Sequence, residues 1–138
     1  MEYLLVQIRR GDFLKVKDFK DLNFESDVWV KSILKVCTNY SLKQVVLFSD
    51  ELIDDFIISS LSNNGIRVIT PNTENNFISH FVNYICNASL VMCNASTLTL
   101  SISFLFHEKI YLPSKVKDFQ EIVINEAHNT MPSLLNWN

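Results

Sequence analysis

Two adjacent arginines at the end of an apolar run are the residues of this chain best suited to chemistry. Arg9 and Arg10 follow the run Tyr3–Ile8 and precede Gly11 and Asp12. Because a guanidinium binds phosphate oxygens through bidentate, charge-assisted hydrogen bonds, this strand end suits a diphosphate. In an extended strand the two side chains point to opposite faces, so one can reach a ligand while a neighbour such as Asp12 holds the other. The alternative is that both are surface arginines balanced by nearby acids.

Two later apolar runs also end in polar residues. Ser49 and Asp50 can accept hydrogen bonds from a nucleoside, or they can simply begin a helix, where acidic residues suit the helix dipole. The cluster Asn94–Thr97 follows the second of these runs. Its Ser96 and Thr97 open a helix whose free N–H groups can hold phosphate, or they act as an ordinary N-cap.

Apolar runs alternate with amphipathic stretches along most of the chain. The predicted strands are Tyr3–Ile8, Gln44–Phe48, Ile66–Thr70, Leu90–Cys93 and Lys109–Leu112. The predicted helices are Ser26–Asn39, Glu51–Leu61, Asn75–Cys86 and Ser96–Phe106. This alternation predicts an α/β, Rossmann-like, doubly wound three-layer fold with a mainly parallel sheet of about five strands in the order 3-2-1-4-5. Ligands of such sheets bind at the carboxyl ends of the strands, where all three polar clusters are expected to meet.

Polar residues also suggest where the first helices begin. Ser26 or Asp27 is expected to cap the first helix, and Ser49 or Asp50 the second. The mixed stretch Phe13–Glu25 is interpreted as a long loop.

The length of 138 residues predicts a single domain. Within the range 1–138 we expect a core at 3–113 and an extension at 114–138. That extension is expected to contain a short strand at Glu121–Ile124 and an irregular end near Pro132–Asn138.

Composition excludes several classes of function. A net charge of −3 leaves no basic surface for nucleic acid, so any anion site must be local. Gly11 and Gly65 are the only glycines, which excludes a dinucleotide fingerprint and a P-loop. Three cysteines without paired spacing predict reduced thiols, no metal site and a cytoplasmic location. We also expect no signal peptide and no transmembrane segment, since the longest apolar stretch, Leu98–Phe106, is too short.

Several motifs resemble the α-1,2- and α-1,6-fucosyltransferase superfamily. Gln7–Asp12 resembles the His-x-Arg-Arg-Gly-Asp motif of that family, and Val46–Asp50 resembles its strand end with Phe-Ser-Asp. Ser96–Thr99 is similar to its Ser-Thr-Phe-Ser segment, and Ile110–Pro113 to the strand and proline that follow. The resemblance covers Tyr3–Pro113, which implies that the core at 3–113 is a GDP-sugar-binding domain.

The resemblance implies the C-terminal, donor-binding half of a GT-B glycosyltransferase. It implies GDP-fucose as donor, inverting transfer to a glycan acceptor, no cofactor and no obligatory metal. Arg9 is then the catalytic residue that neutralises the diphosphate leaving group, by stabilising charge where it develops. The implied donor and phosphate site comprises Gln7, Arg9, Arg10, Asp12, Ser96 and Thr97, with nucleoside contacts at Ser49 and Asp50.

Departures from the family pattern keep a second function open. The motif's histidine is Gln7, which can hydrogen-bond a nucleotide but cannot transfer a proton, and the family's aromatic pair is Leu100 and Ser101. The acceptor-side half of a GT-B enzyme is not recognisable, so catalysis needs a separate chain that carries that domain, a homo-oligomer that rebuilds the cleft, or a very reduced acceptor site. The alternatives are a non-catalytic nucleotide-sugar-binding or interaction module, and an unrelated flavodoxin-like domain whose arginines are structural.

Overall fold

The structure is a computed structural model that describes residues 2–10, 22–71, 77–94, 97–107, 109–113 and 133–137. In these ranges the strands are β1 (Leu4–Ile8), β2 (Gln44–Ser49), β3 (Arg67–Ile69), β4 (Leu90–Cys93), β5 (Lys109–Leu112) and β6 (Ser133–Asn136). They form one parallel sheet in the order β3-β2-β1-β4-β5-β6. The predicted order is confirmed, with a sixth strand added beside β5.

Helices cover both faces of this sheet. They are α1 (Ser26–Tyr40), α2 (Asp55–Asn63), α3 (Phe77–Asn87) and α4 (Thr97–Phe106). From β1 the chain adds strands in one direction to β3, then returns past β1 to add β4 and β5. Because crossovers are right-handed, the two directions place their helices on opposite faces. α1 packs with α2, and α3 with α4, which confirms the Rossmann-like three-layer fold.

Strand β1 is buried on both faces, which explains its nearly continuous apolar sequence. Leu4, Val6 and Ile8 lie in the core cluster beneath α1 and α2. Leu5 points the other way and packs with Phe81 of α3. The alternation therefore assigns even-numbered positions to the α1 side and odd-numbered positions to the α3 and α4 side.

The start of α1 differs from the sequence prediction. Its N-cap residue is Glu25, and in the described part of the chain Glu25 makes no side-chain capping bond. Neither Ser26 nor Asp27 caps the helix, because both already have helical backbone. Burial of its apolar face, including Trp29 and Ile33, stabilises this helix instead.

The start of α2 is also corrected. β2 continues through Ser49, so the chain turns before it can enter a helix. The N-cap is Asp54, whose carboxylate accepts a hydrogen bond from the Phe56 amide at 3.0 Å. Ser49 and Asp50 therefore do not cap a helix, which leaves their side chains available for other contacts.

The prediction of an irregular C-terminus is wrong. β6 pairs along its length with β5, from Lys109↔Ser133 to Leu112↔Asn136. Trp137, the residue after β6, is buried in the core under α1. The predicted strand Glu121–Ile124 lies outside the described residues.

Candidate functional site

The register of the sheet brings the ends of three strands side by side. Gln7 of β1 pairs with Phe48 of β2 and with Cys93 of β4. The chain reverses its order of strand addition here, with β2 on one side of β1 and β4 on the other. This is the topological switch point at which open α/β sheets bind ligands.

Asn94, the residue after β4, holds the end of β1 through its side-chain amide. Its Oδ1 accepts a hydrogen bond from the Arg9 main-chain N–H at 2.9 Å, and its Nδ2 donates to the Arg9 carbonyl at 2.7 Å. Nδ2 also donates to the Leu22 carbonyl at 2.9 Å. Asn94 has no exposed surface, and its bond to Leu22 is buried, whereas its two bonds to Arg9 are partly buried. Burial of the amide limits the competition from water.

Asp50, the residue after β2, holds the next residue of the same strand end. Its Oδ1 accepts a hydrogen bond from the Arg10 main-chain N–H at 2.9 Å. Ser49 lies beside it, and its hydroxyl accepts from the Glu51 amide at 3.2 Å. The predicted nucleoside residues thus lie at the switch point, and both have structural contacts there.

The Arg10 side chain connects β1 to the starts of two helices. Its guanidinium donates to the Ser26 hydroxyl at 3.2 Å, and Ser26 donates to the Asp54 carboxylate at 2.6 Å. The Ser26 hydrogen bond, the Phe56 amide and the charge of Arg10 together lower the pKa of Asp54 below its ordinary value. We therefore name Arg10, Ser26 and Asp54 the arginine relay.

The side chain of Arg10 is thus held by a hydrogen bond. It is half-buried on the α1 side, as the alternation of β1 requires. Its partner is Ser26, whereas Asp12, the partner suggested by the sequence, lies outside the described residues. Within the described part of the chain, the buried Nε of Arg10 has no hydrogen-bond partner.

Gln7 lies on the opposite face, toward α4. Its Oε1 accepts a hydrogen bond from the hydroxyl of Thr99, which is fully buried in the first turns of α4. The oxygen-to-oxygen distance of 3.4 Å is at the long end of the normal range. Gln7 thereby ties β1 to the helix that follows β4.

The described residues cover only part of the predicted phosphate site. Thr97 is the first residue of α4, so the predicted helix start is confirmed in its backbone. Asp12 and Ser96 lie outside the described residues, and the contacts of all three with phosphate stay predictions.

Two open depressions bear on where a ligand can bind. One of about 530 Å³ lies at the amino ends of the strands and is lined by Glu2, Leu90, His107 and Lys109, among others. The other, of about 260 Å³, lies at the carboxyl ends of β2 and β3 and is lined by Ser49, Glu51, Leu52, Asp55 and Thr70, among others. Only the smaller of these two lies at the carboxyl ends of the strands, the end at which parallel sheets bind ligands, and it is next to Ser49.

Several kinds of chemistry find no support among the described residues. They contain no group of three His, Cys, Asp or Glu side chains that could hold a metal ion. Cys93 lies beside the site, but complete burial raises its pKa to about 12, so it is not a thiolate nucleophile at neutral pH. None of the helices in these ranges has the length and hydrophobicity needed to cross a bilayer.

The observed roles of three contributors, Asn94, Ser26 and Asp54, were not predicted from the sequence. Asn94 belongs to a polar cluster that the sequence placed at this edge, and its position directly after β4 was the available signal. Ser26 was interpreted as a helix cap, and Asp54 is one of two adjacent acids with no distinguishing pattern. Their roles emerge only when the strand order is known.

Comparison with known proteins assigns no family to this chain. No protein-family model matches this chain, and no curated protein matches it in sequence.

Proposed function

We propose that this chain is a fucosyltransferase-like glycosyltransferase domain that binds GDP-fucose, with Arg9 neutralising the diphosphate. The observation that carries the proposal is the meeting of Arg9, Arg10, Asp50 and Asn94 at the switch point of the sheet. An isolated arginine pair is a weak indication of function. Here the main chain of the pair is fixed by residues from both neighbouring strands, which is the rigid positioning that a binding site requires.

The two guanidinium groups have different roles in this proposal. Arg10 is committed to Ser26 on the α1 side. The alternation of β1 assigns Arg9 to the other side, where α4 begins at Thr97. A helix N-terminus next to a guanidinium suits a diphosphate, because both favour negative charge.

The depression at the ends of β2 and β3 suits the nucleoside. Leu52 and Ile53 supply apolar surface for a base, and Glu51 and Asp55 supply carboxylates. Guanine presents an N–H and an amino group on one edge, which a carboxylate accepts together. This chemistry favours a guanine nucleotide over a uracil nucleotide, whose base offers only one such donor.

Transfer to a glycan also needs a surface that binds the acceptor. We propose that it comes from a second copy of this chain or from a separate chain that carries the acceptor domain. We also propose a cytoplasmic location, which fits the three free cysteines.

Titration calorimetry with GDP, GDP-fucose, GDP-mannose and UDP-sugars tests the proposal. Arg9→Ala should weaken GDP binding roughly 10- to 150-fold, because one or two charge-assisted bonds are each worth about 1.5–3 kcal/mol. Arg67→Ala is the matched control, since Arg67 is exposed at the opposite end of the sheet. Absence of guanine-nucleotide binding by the wild type, or equal binding by Arg9→Ala, would contradict the proposal.

Gln7 favours a second candidate, a non-catalytic nucleotide-sugar-binding module of the same fold. An amide hydrogen-bonded to Thr99 can orient a ligand but cannot act as an acid or a base. The two candidates differ in turnover, which release of free fucose from GDP-fucose measures. Binding without release supports the module, and release above the rate in buffer supports the enzyme.

A further inference from the structure

The side-chain amide of Asn94 uses all its hydrogen-bonding groups on the main chain of other segments. Oδ1 accepts one bond, and the two Nδ2 hydrogens are donated to two different carbonyls. The partners, Arg9 and Leu22, are 85 and 72 residues away in sequence. A buried asparagine that merely satisfied a local turn would bond to residues near it in the chain.

Two of these bonds go to the same residue, on either side of its Cα. One amide group holds both the N–H and the C=O of Arg9. When both peptide groups that flank a Cα are fixed, the direction of the Cα–Cβ bond is also fixed. The amide of Asn94 therefore sets the direction in which the Arg9 side chain leaves the strand.

The third bond joins the two ends of the segment 10–21. Asn94 Nδ2 donates to the carbonyl of Arg9, just before this segment, and to the carbonyl of Leu22, just after it. Leu22 is itself buried, so this end of the segment is anchored in the core. One side chain thus holds Arg9 and the base of the connection between β1 and α1.

We propose that Asn94 is a positioning residue that aims Arg9 at the phosphates of the ligand and closes the base of the segment 10–21. The part that concerns phosphate rests on the proposed function, and the part that concerns the main chain does not. Asn94 itself need not touch the ligand.

Amide hydrogen exchange followed by NMR tests the main-chain part without any nucleotide. In the wild type, the Arg9 amide and the side-chain amide protons of Asn94 should be protected, although Arg9 lies beyond the end of β1. Asn94→Ala should accelerate exchange at Arg9 about ten-fold more than at Val46 in the centre of the sheet, which reports global stability. Unprotected Asn94 side-chain protons in the wild type would overturn the proposal even if every variant failed to fold.

Two further variants sharpen this measurement. Asn94→Asp retains an acceptor for the Arg9 amide but, when ionised, cannot donate, so it should protect Arg9 better than Asn94→Ala does. Ser103→Ala is the control for burial, because the Ser103 hydroxyl is fully buried and has no partner among the described residues. It should leave exchange at Arg9 unchanged. Equal acceleration at Arg9 and Val46 in Asn94→Ala would overturn the proposal.

Comparison of GDP with guanosine tests the aiming of Arg9. Asn94→Ala should weaken GDP about ten-fold or more and leave guanosine within two-fold, because guanosine carries no phosphate. An equal loss for both ligands would reduce Asn94 to a structural residue and overturn the positioning role. If the wild type binds neither ligand, the proposed function fails, while the exchange data still decide whether Asn94 holds the main chain.

Discussion

The indole rings of Trp29 and Trp137 stack with their centroids 4.5 Å apart and their planes 28° from parallel. Trp29 belongs to α1, whereas Trp137 follows the last strand, so this contact joins distant parts of the chain. The Trp137 Nε1–H donates to the Cys93 carbonyl at 2.8 Å, and Phe24 packs edge-on against both rings. The C-terminal residues thereby fill the face of the sheet next to the residues that lead into α1.

Removal of the Trp137 ring should strongly destabilise the protein. Trp137→Ala is expected to lower the free energy of unfolding by about 3–5 kcal/mol, since it leaves a large cavity beside Trp29. Trp137→Phe should cost less, because it retains an aromatic contact and loses the bond to Cys93. Urea unfolding followed by circular dichroism measures both changes.

Leu52→Ala is the control for loss of a large apolar residue. Leu52 is 96% exposed, so its truncation should change the free energy of unfolding by less than about 0.5 kcal/mol. A loss for Trp137→Ala no larger than that of Leu52→Ala would contradict the packing of the C-terminus.

The three thiols should differ in reactivity toward an aromatic disulfide reagent. Burial raises the pKa of Cys37 to about 11 and that of Cys93 to about 12, so both are protonated and shielded at pH 8. Cys86 is only partly buried and should react first. The absorbance of the released reagent should show one fast-reacting thiol in the native protein and three in guanidinium. Three fast-reacting thiols in the native protein would contradict the burial of Cys37 and Cys93.

The contribution of the arginine relay to stability should depend on pH. The pKa of Asp54 is lowered in the folded protein, so its carboxylate stabilises the fold above the ordinary value of 3.8. This contribution is lost as the pH falls below that value and through the folded pKa. Wild type should thus exceed Asp54→Asn in stability near pH 6, and the difference should shrink below pH 4. Thermal unfolding of both proteins at several pH values measures this difference in stability. A difference that stays constant with pH would contradict the lowered pKa of Asp54.

The link between Arg10 and Ser26 can be measured by a double-mutant cycle. Arg10→Met retains the apolar stem, and Ser26→Ala removes the hydroxyl that accepts from the guanidinium. We expect a coupling free energy of about 1 kcal/mol in urea unfolding, typical of one hydrogen bond. Ser59 is the control, because it is exposed on α2 and bonds only within its own helix. Coupling to Ser26 no larger than coupling to Ser59 would contradict the relay.

The sheet was predictable mainly because its central strands are buried on both faces. Continuous apolar runs marked β4 and β5 with their observed bounds, Leu90–Cys93 and Lys109–Leu112. β6 was missed because Ser133–Asn136 is short and neither alternates nor stands out as apolar. Its strand conformation comes from pairing with β5 and from the packing of Trp137, which are tertiary effects.

The site was predictable in its location and less so in its contacts. The sequence placed the arginine pair, Ser49, Asp50 and the cluster at Asn94 on one edge, because parallel strands share an edge. It could not show that Asp50 and Asn94 bind main-chain groups. The same side chains can accept a hydrogen bond from a ligand or from a main-chain amide, and the sequence does not distinguish the two. It also placed the cap of α2 at Ser49 or Asp50 rather than at Asp54, because all three are good capping residues.

The two side chains that flank Arg9 and Arg10 act as substitutes for main-chain partners. The ladders of β1 end near Ile8, and the Asn94 and Asp50 side chains then accept from the next two amides, as strand carbonyls would. A strand carbonyl cannot be mutated, whereas these acceptors can. Natural variation at these two positions can therefore redirect or abolish the proposed anion site while both arginines remain, so a search for proteins with the same strand end must match three strand ends rather than one motif.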